Sequence, residues 1–294
     1  MKPVPFVSYP PTSFPFRDLL VFEQLPLHEG HRICEVGIGS GGTTARLARS
    51  CAEVVGLEIS APTVEALRYL EERHPNLRLR VGDITKPECL AGLEGSFDEL
   101  VSCDTLEHVD DAAGYFRGIA SLLRPGGRFL VTFPNEPEAT MHGVTRFDSP
   151  HELLRLTEAA GLTLHLLASA RLRPPAERIA QALGWGPVEL VRRALPRPAG
   201  EGEGAAPEVA PASEPSPPSS RRSRPPQTFD ETRFFKRLAT WQRLSPAVNL
   251  YWHGVLRAMA ATGPCFELDA GFTTVPFGDG QVVLLGERAA APGV

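Results

Sequence analysis

Glu35-Val36-Gly37-Ile38-Gly39-Ser40-Gly41-Gly42 sets a carboxylate two residues ahead of a glycine-rich loop. Glycines let the chain turn tightly and let a ligand approach the backbone. The helix expected from Thr43 offers free N–H groups at its start. Gly37, Gly39 and Gly42 satisfy the dinucleotide pattern G-x-G-x-x-G, a weak signal alone. Glu58 lies 21 residues beyond Gly37, at the end of the second expected strand. A carboxylate there accepts hydrogen bonds from both hydroxyls of an adenosine ribose. Asp83, in Val81-Gly82-Asp83-Ile84, is positioned to accept from an adenine amino group. Asp104 sits in the acidic turn of FDELVSCDTLEHVDD. Glu35 would repel a pyrophosphate but not an ammonium group. The acids favour a ligand carrying a sulfonium and an amine over one carrying two phosphates.

These groups need strand ends and a helix start to hold them. Short apolar runs at Arg32–Val36, Glu53–Glu58, Leu77–Gly82, Phe97–Cys103, Arg128–Phe133 and Leu162–Ser169 read as strands. Helical patterns at Thr43–Ser50, Thr63–Arg73, Asp110–Leu123 and Pro150–Ala160 lie between them. Such alternation gives βαβ units, a mostly parallel sheet and helices on both faces. Leu123-Arg124-Pro125-Gly126-Gly127 reads as a turn between a helix and a strand.

With 294 residues, 42% of them hydrophobic and 22% charged, the chain can bury a full core. Pro (29) and Gly (27) are abundant for a compact enzyme, which points to a linker. Of the 31 residues in Arg197–Gln227, 16 are Pro, Gly or Ser, and Val209 is the only large apolar one. Too little surface could be buried there to offset ordering, so a disordered linker is expected. It falls within an inserted helical region, 172–264, with helical stretches at Ala176–Ala194 and Asp230–Ala261. Gln281–Leu285 then returns to the sheet. The expected organisation is an N-terminal segment (1–30), an α/β core (31–171), the insertion and a returning strand (265–294).

The net charge of −5 gives no electrostatic footprint for nucleic acid. Cys34, Cys51, Cys89, Cys103 and Cys265 form no C-x-x-C pair and no metal-ligand spacing, so they read as small buried hydrophobes and no metal is expected. The uncharged run Pro3–Phe16 carries five prolines in 14 residues. It is expected to be neither a spanning helix nor a signal peptide. A cytoplasmic location is the default.

The runs EVGIGSGG, GLEIS, VGDIT, FDELVSCDTLEHV and LLRPGGRFLVTFPNEP, ordered over residues 30–170, resemble the class I S-adenosylmethionine-dependent methyltransferases. Within these the chain is most similar to the small-molecule group that includes quinone-biosynthesis methyltransferases. The resemblance implies a Rossmann-like sheet of seven strands, the last antiparallel, with S-adenosylmethionine as cofactor. It further implies that Glu35, Gly37, Gly39 and Asp104 surround the methionine part, Glu58 the ribose, and Ile59, Asp83 and Ile84 the adenine. The long interruption between the last two strands departs from that pattern.

Methyl transfer is a displacement at a sulfonium carbon, and the protein mainly orients the acceptor and excludes water. A hydroxyl or an acidic carbon as acceptor gains from a general base. His108 and His142 are the candidates by position. The plain alternatives are a hydrogen bond from His108 to Asp110 or Asp111, and a solvated loop position for His142. Ser149, before Pro150 and three residues ahead of Glu152, reads as a helix cap. Tyr9, Phe14 and Phe16 could lid a pocket. Arg221–Arg257 holds eight Lys or Arg against two acids, with Phe234, Phe235, Leu238 and Trp241 at helical spacing. That pattern fits a helical cap over the active-site mouth or weak contact with a membrane surface.

The expected activity is methylation of a small-molecule acceptor, most simply at oxygen, with carbon or nitrogen on a lipid-like or quinone-like acceptor as the variant. An NAD(P)-dependent oxidoreductase and a non-catalytic cofactor-binding module are the competing classes. No oligomeric state follows.

Overall fold

The computed structural model describes residues 17–25, 27–39, 41–136, 143–185, 251, 254–269 and 281–290. Outside them lie the N-terminal aromatics, His142, the linker 197–227 and most of 221–257.

Strands form at Arg32–Val36 (β1), Glu53–Glu58 (β2), Leu77–Val81 (β3) and Phe97–Cys103 (β4), close to the expected bounds. The fifth, Leu123–Phe133 (β5), starts earlier than expected. Leu123 already pairs with Phe97, and pairing resumes at Arg128 opposite Glu99. The Pro-Gly-Gly punctuation therefore interrupts a strand instead of preceding one, with Gly126 at φ 76°. Leu162–Leu172 (β6), Phe266–Asp269 (β7) and Gln281–Arg288 (β8) complete the sheet.

The strand order is β3-β2-β1-β4-β5-β8-β6-β7. β1 to β5 pair in parallel; β8 runs antiparallel to both β5 and β6, and β7 antiparallel to β6. The expected seven strands are thus corrected to eight. The extra one, β7, alternates over only four residues, too few for a periodic signal. It forms because β6 runs three residues past the expected Ser169 and offers Ser169–Leu172 as a partner edge.

Helices form at Arg17–Gln24 (α1), Gly42–Ser50 (α2), Ala61–Leu67 (α3), Tyr69–Arg73 (α4), Ala112–Leu122 (α5), Pro150–Ala159 (α6) and Pro174–Ile179 (α7). The single helix expected at 63–73 is two, joined at Arg68. Caps explain several starts. Ser60 Oγ accepts from Thr63 N at 3.3 Å, Asp111 Oδ1 from Gly114 N at 2.8 Å, and Ser149 Oγ from His151 N at 3.2 Å.

Strand alternation sorts the core into two layers. Ile33, Val54, Leu79, Val101, Leu130 and Val283 pack with α1 to α4 on the first face. Cys34, Val55, Leu100, Phe129, Val131 and Leu284 pack with α5 and α6 on the second. Each large side chain buried this way contributes about 1.5–3 kcal/mol. Cys34, Cys51, Cys103 and Cys265 are buried and Cys89 is half-buried. Burial pushes the Cys51 thiol up to about 12, aided by the charge of Glu99.

The described part of the insertion joins the first face. Ala176, Ala180 and, from a helical segment over 254–260, Val255, Leu256 and Met259 pack with Leu20 and Val21 of α1 and with Leu25 just after it. The insertion's ends are stapled. Arg173 N donates to Cys265 O at 2.8 Å, Arg173 Nε to Phe266 O at 3.0 Å, and Cys265 N to Glu23 Oε1 at 2.6 Å. Among the described residues, no helix is long and apolar enough to cross a membrane.

Candidate functional site

The parallel strands end together on one edge, and the chemistry-bearing residues collect there. Glu35 lies inside β1, two residues before the loop begins at Gly37, and is buried. Beyond it Gly37 N donates to Leu57 O at 2.9 Å, which keeps the loop bonded to β2. Gly37 has φ +77°, and a Cβ there would stand 2.0 Å from Thr105 Oγ1. Thr105 approaches so closely because its hydroxyl donates toward Val36 O (3.3 Å) and Cys103 O (3.1 Å), tying the end of β4 to the end of β1. Gly39, at φ +47°, has open space where its Cβ would be, so a ligand could lie against the backbone.

Glu58 ends β2. Its Oε1 accepts from Ser60 N at 3.0 Å and its Oε2 from Gly39 N at 3.4 Å. Each oxygen keeps lone-pair capacity for a ligand hydroxyl. Ile59, next to it, is 69% exposed, an apolar side chain able to lie under a flat ring. Asp83 Oδ1 accepts from both Thr85 N and Thr85 Oγ1 at 2.8 Å. Ile84 is different: its side chain is buried in the second-face core. Its carbonyl and Cγ1 stand 2.2 and 2.5 Å from where a Cβ on Gly118 of α5 would be.

Asp104 follows β4 at φ +51°, the one non-glycine residue with positive φ among the described residues. Asp tolerates this left-handed turn better than most side chains. Asp104 N donates to Thr132 O of β5 at 2.8 Å, which holds the turn in place.

His108 ends a 3-10 turn, Leu106–His108, and its side chain is 52% exposed. Its Nε2 lies 3.8 Å from Glu107 Oε1, a buried carboxylate. Of the two acids expected as its partners, Asp111 caps α5 and pairs with Arg117 at 3.5 Å. His142 lies outside the described residues, but the chain just after it is pinned to the same turn. Val144 N and Thr145 N both donate to Glu107 O, at 2.7 and 2.9 Å, and Thr145 Oγ1 donates to Val109 O at 2.6 Å. Buried Asn135 bonds Phe147 twice, Nδ2 to O at 2.9 Å and Phe147 N to Oδ1 at 3.0 Å.

Sequence reasoning gave no role to Thr105, Glu107 or Asn135. Asn135 carried a signal, a polar residue directly after the apolar strand β5. Thr105 carried none, because its importance comes from contact across two strands.

The family described as "Methyltransferase domain" matches residues 34–131. The chain is 29% identical over 163 residues to a ubiquinone biosynthesis O-methyltransferase of Aeromonas salmonicida, covering 49% of this chain and 68% of the relative. A protein of the same name from Methylocella silvestris is 32% identical over 155 residues, 46% of this chain and 59% of the relative. One from Albidiferax ferrireducens is 34% identical over 113 residues, 37% and 44%. The chain thus spans between about half and two thirds of the length of these relatives.

Among solved structures, the [4+2]-cyclase SpnF aligns with a TM-score of 0.50 at 17% identity, over 94% of this chain and 82% of that one. Phosphoethanolamine N-methyltransferase 2 of Haemonchus contortus, in complex with S-adenosyl-L-methionine, gives 0.50 at 13%, over 93% and 52%. These two share the fold, and a cyclase beside an N-methyltransferase shows that the fold alone does not choose the reaction. With the carboxylate-flanked glycine loop at the head of this sheet, the α/β core carries a methyltransferase domain over residues 34–131 and resembles the class I S-adenosylmethionine-dependent methyltransferases of quinone biosynthesis.

Proposed function

We propose that the chain transfers a methyl group from S-adenosylmethionine to a hydroxyl of a small acceptor, with Glu35, Gly37, Gly39, Glu58, Ile59, Asp83, Ile84 and Asp104 around the cofactor. One observation carries the reading. Glu58 and Asp83 accept only from backbone N–H groups and a threonine hydroxyl among the described residues. Among the described residues their charge is therefore met by no cation and is available to a cationic nucleoside. The residues fit the cofactor on this test: open backbone at Gly39, a ribose acid at Glu58 and an exposed apolar Ile59 for the ring. A pyrophosphate cofactor fits poorly beside buried Glu35 and these acids, which disfavours the oxidoreductase.

The bound cofactor supplies an activated methyl group on a good leaving group. The chain's own part is to hold the nucleoside across β2, β1 and β4, to exclude water, and to orient the acceptor near Asp104 and His108. His108 is the described group able to take a hydroxyl proton, on a ring that Glu107 can orient; His142 is the second candidate. The names of the relatives support oxygen as the methylated atom and a quinone-like acceptor.

The test is incubation of the full chain with S-adenosylmethionine and hydroquinone or catechol. Mass spectrometry should find S-adenosylhomocysteine and an O-methylated product in equal amounts. Methyl transfer to amines alone, or to neither probe, would refute the reading. A His108→Ala variant should lose the upper part of its rate against pH if His108 is the base; an unchanged profile removes it from the mechanism.

A further inference from the structure

Two buried polar atoms near the site have no hydrogen-bond partner among the described residues: Thr132 Oγ1 on β5 and Gln281 Oε1 on β8. Thr132 is 0% and Gln281 4% exposed. Orphaned atoms this deep are costly, and a native fold rarely keeps two close together without a use. Their placement is regular. Leu130 and Val283 face the first layer, so Thr132 and Gln281, each two residues along, face it too. Val283 pairs with Thr132 across the ladder, which puts Gln281 one diagonal step from Thr132, about 7–8 Å between backbones. Glu35 shares that face, two residues after Ile33.

The order across the sheet says what these atoms could meet. Glu58 ends β2, Glu35 lies on β1 and Asp104 follows β4; β5 and β8 come next. Strands stand about 4.8 Å apart. A nucleoside with its ribose at β2 and its methionine part at β4 spans about 10 Å, and Thr132 and Gln281 lie about 5 and 10 Å beyond. They fall on the far side of the methyl donor from the ribose. Thr132 is tied there, because its carbonyl accepts from Asp104 N at 2.8 Å.

Building on the function proposed above, we propose that Thr132 and Gln281 are acceptor-binding residues. Their side chains would hydrogen-bond a hydroxyl of the acceptor and aim a second oxygen at the donor. A threonine hydroxyl donates or accepts, and Gln281 Oε1 accepts. The class they recognise is a small molecule with two oxygen functions on one ring, and an apolar ring with a single oxygen would be bound less well.

The test uses full-length Thr132→Val and Gln281→Met, which keep volume and remove the atoms, with Thr132→Ser as the conservative control. Three quantities are read: melting temperature without ligand, S-adenosylmethionine affinity by calorimetry, and kcat and KM for catechol. The expected result is a melting temperature unchanged or raised and unchanged cofactor affinity. The catechol KM should rise by about tenfold or more in each variant and recover in Thr132→Ser. Unchanged catechol KM overturns the proposal, as does a fall in cofactor affinity, which would turn the pair toward the donor. Lower melting temperatures would mean that both atoms bond within the protein, and that also overturns it. If the unaltered chain transfers no methyl group to catechol or hydroquinone, the proposed function itself fails and this inference falls with it. Transfer by the unaltered chain with indifferent variants sinks the inference alone.

Discussion

The two edges of this sheet use their acids in opposite ways. At the amino edge Glu53, Asp98 and Glu99 each meet a cation. Arg32 Nε lies 2.8 Å from Glu53 Oε2 and Arg124 Nε 2.7 Å from Asp98 Oδ1, while buried Glu99 takes Arg128, with His31 Nδ1 at 3.3 Å. At the carboxyl edge, among the described residues, Glu58 and Asp83 take neutral donors only, the backbone is turned left-handed at Gly37, Gly39 and Asp104, and Thr132 and Gln281 keep bare oxygens. One edge neutralises its charge to hold the strands in register. The other carries charge that a cationic ligand would offset, which is the expected division for an open α/β sheet.

Substitutions at each edge sharpen the contrast. The largest effect should come from Arg128→Met, which strands the carboxylate of Glu99, 0% exposed. Urea unfolding should show a loss of about 3–5 kcal/mol, with cofactor affinity per folded molecule unchanged. At the opposite edge Glu58→Ala should leave melting almost unmoved. Removing two hydrogen bonds to a charged group should weaken S-adenosylhomocysteine binding roughly 30- to 100-fold in calorimetry, about 2–3 kcal/mol. Equal loss of stability in both variants would erase the distinction between the edges.

Gly37→Ala tests the strain directly. Its Cβ would meet Thr105 Oγ1 at φ +77°, and chemical unfolding should find a loss of about 1–3 kcal/mol. The smallest effect belongs to Asp98→Asn. Burial works to raise the Asp98 pKa, but the Arg32 N–H bond and the charges of Arg124 and His31 outweigh it and hold the carboxyl below its ordinary value. A depressed folded pKa gives stability that is present above the unfolded value, about 3.9, and lost as pH falls through the folded one. Asp98→Asn should therefore cost about 1 kcal/mol at pH 7 and lose less further stability between about pH 5 and pH 2 than the unaltered chain.

Much of the cofactor half was legible in the sequence because its signals are local. Apolar runs gave β1, β2 and β4 to the residue, and glycine and acid positions followed from spacing. The remainder depends on contacts made by folding. β7 exists because β6 overhangs, the helix over 63–73 breaks at Arg68, and Thr105 matters only where β4 meets β1. Thr132 and Gln281 are 149 positions apart in the chain, and no periodicity could pair them. Ile84 shows the reverse, since a position that the motif resemblance gave to the ligand carries a side chain packed in the core.

The central claim is that the carboxyl edge selects a cationic nucleoside by its uncompensated acids. Parallel calorimetric titrations of the full-length chain with S-adenosylmethionine and with NAD test it most directly. The account predicts one-to-one binding of S-adenosylmethionine and no measurable heat with NAD; no binding of the former, or equal binding of both, would contradict it.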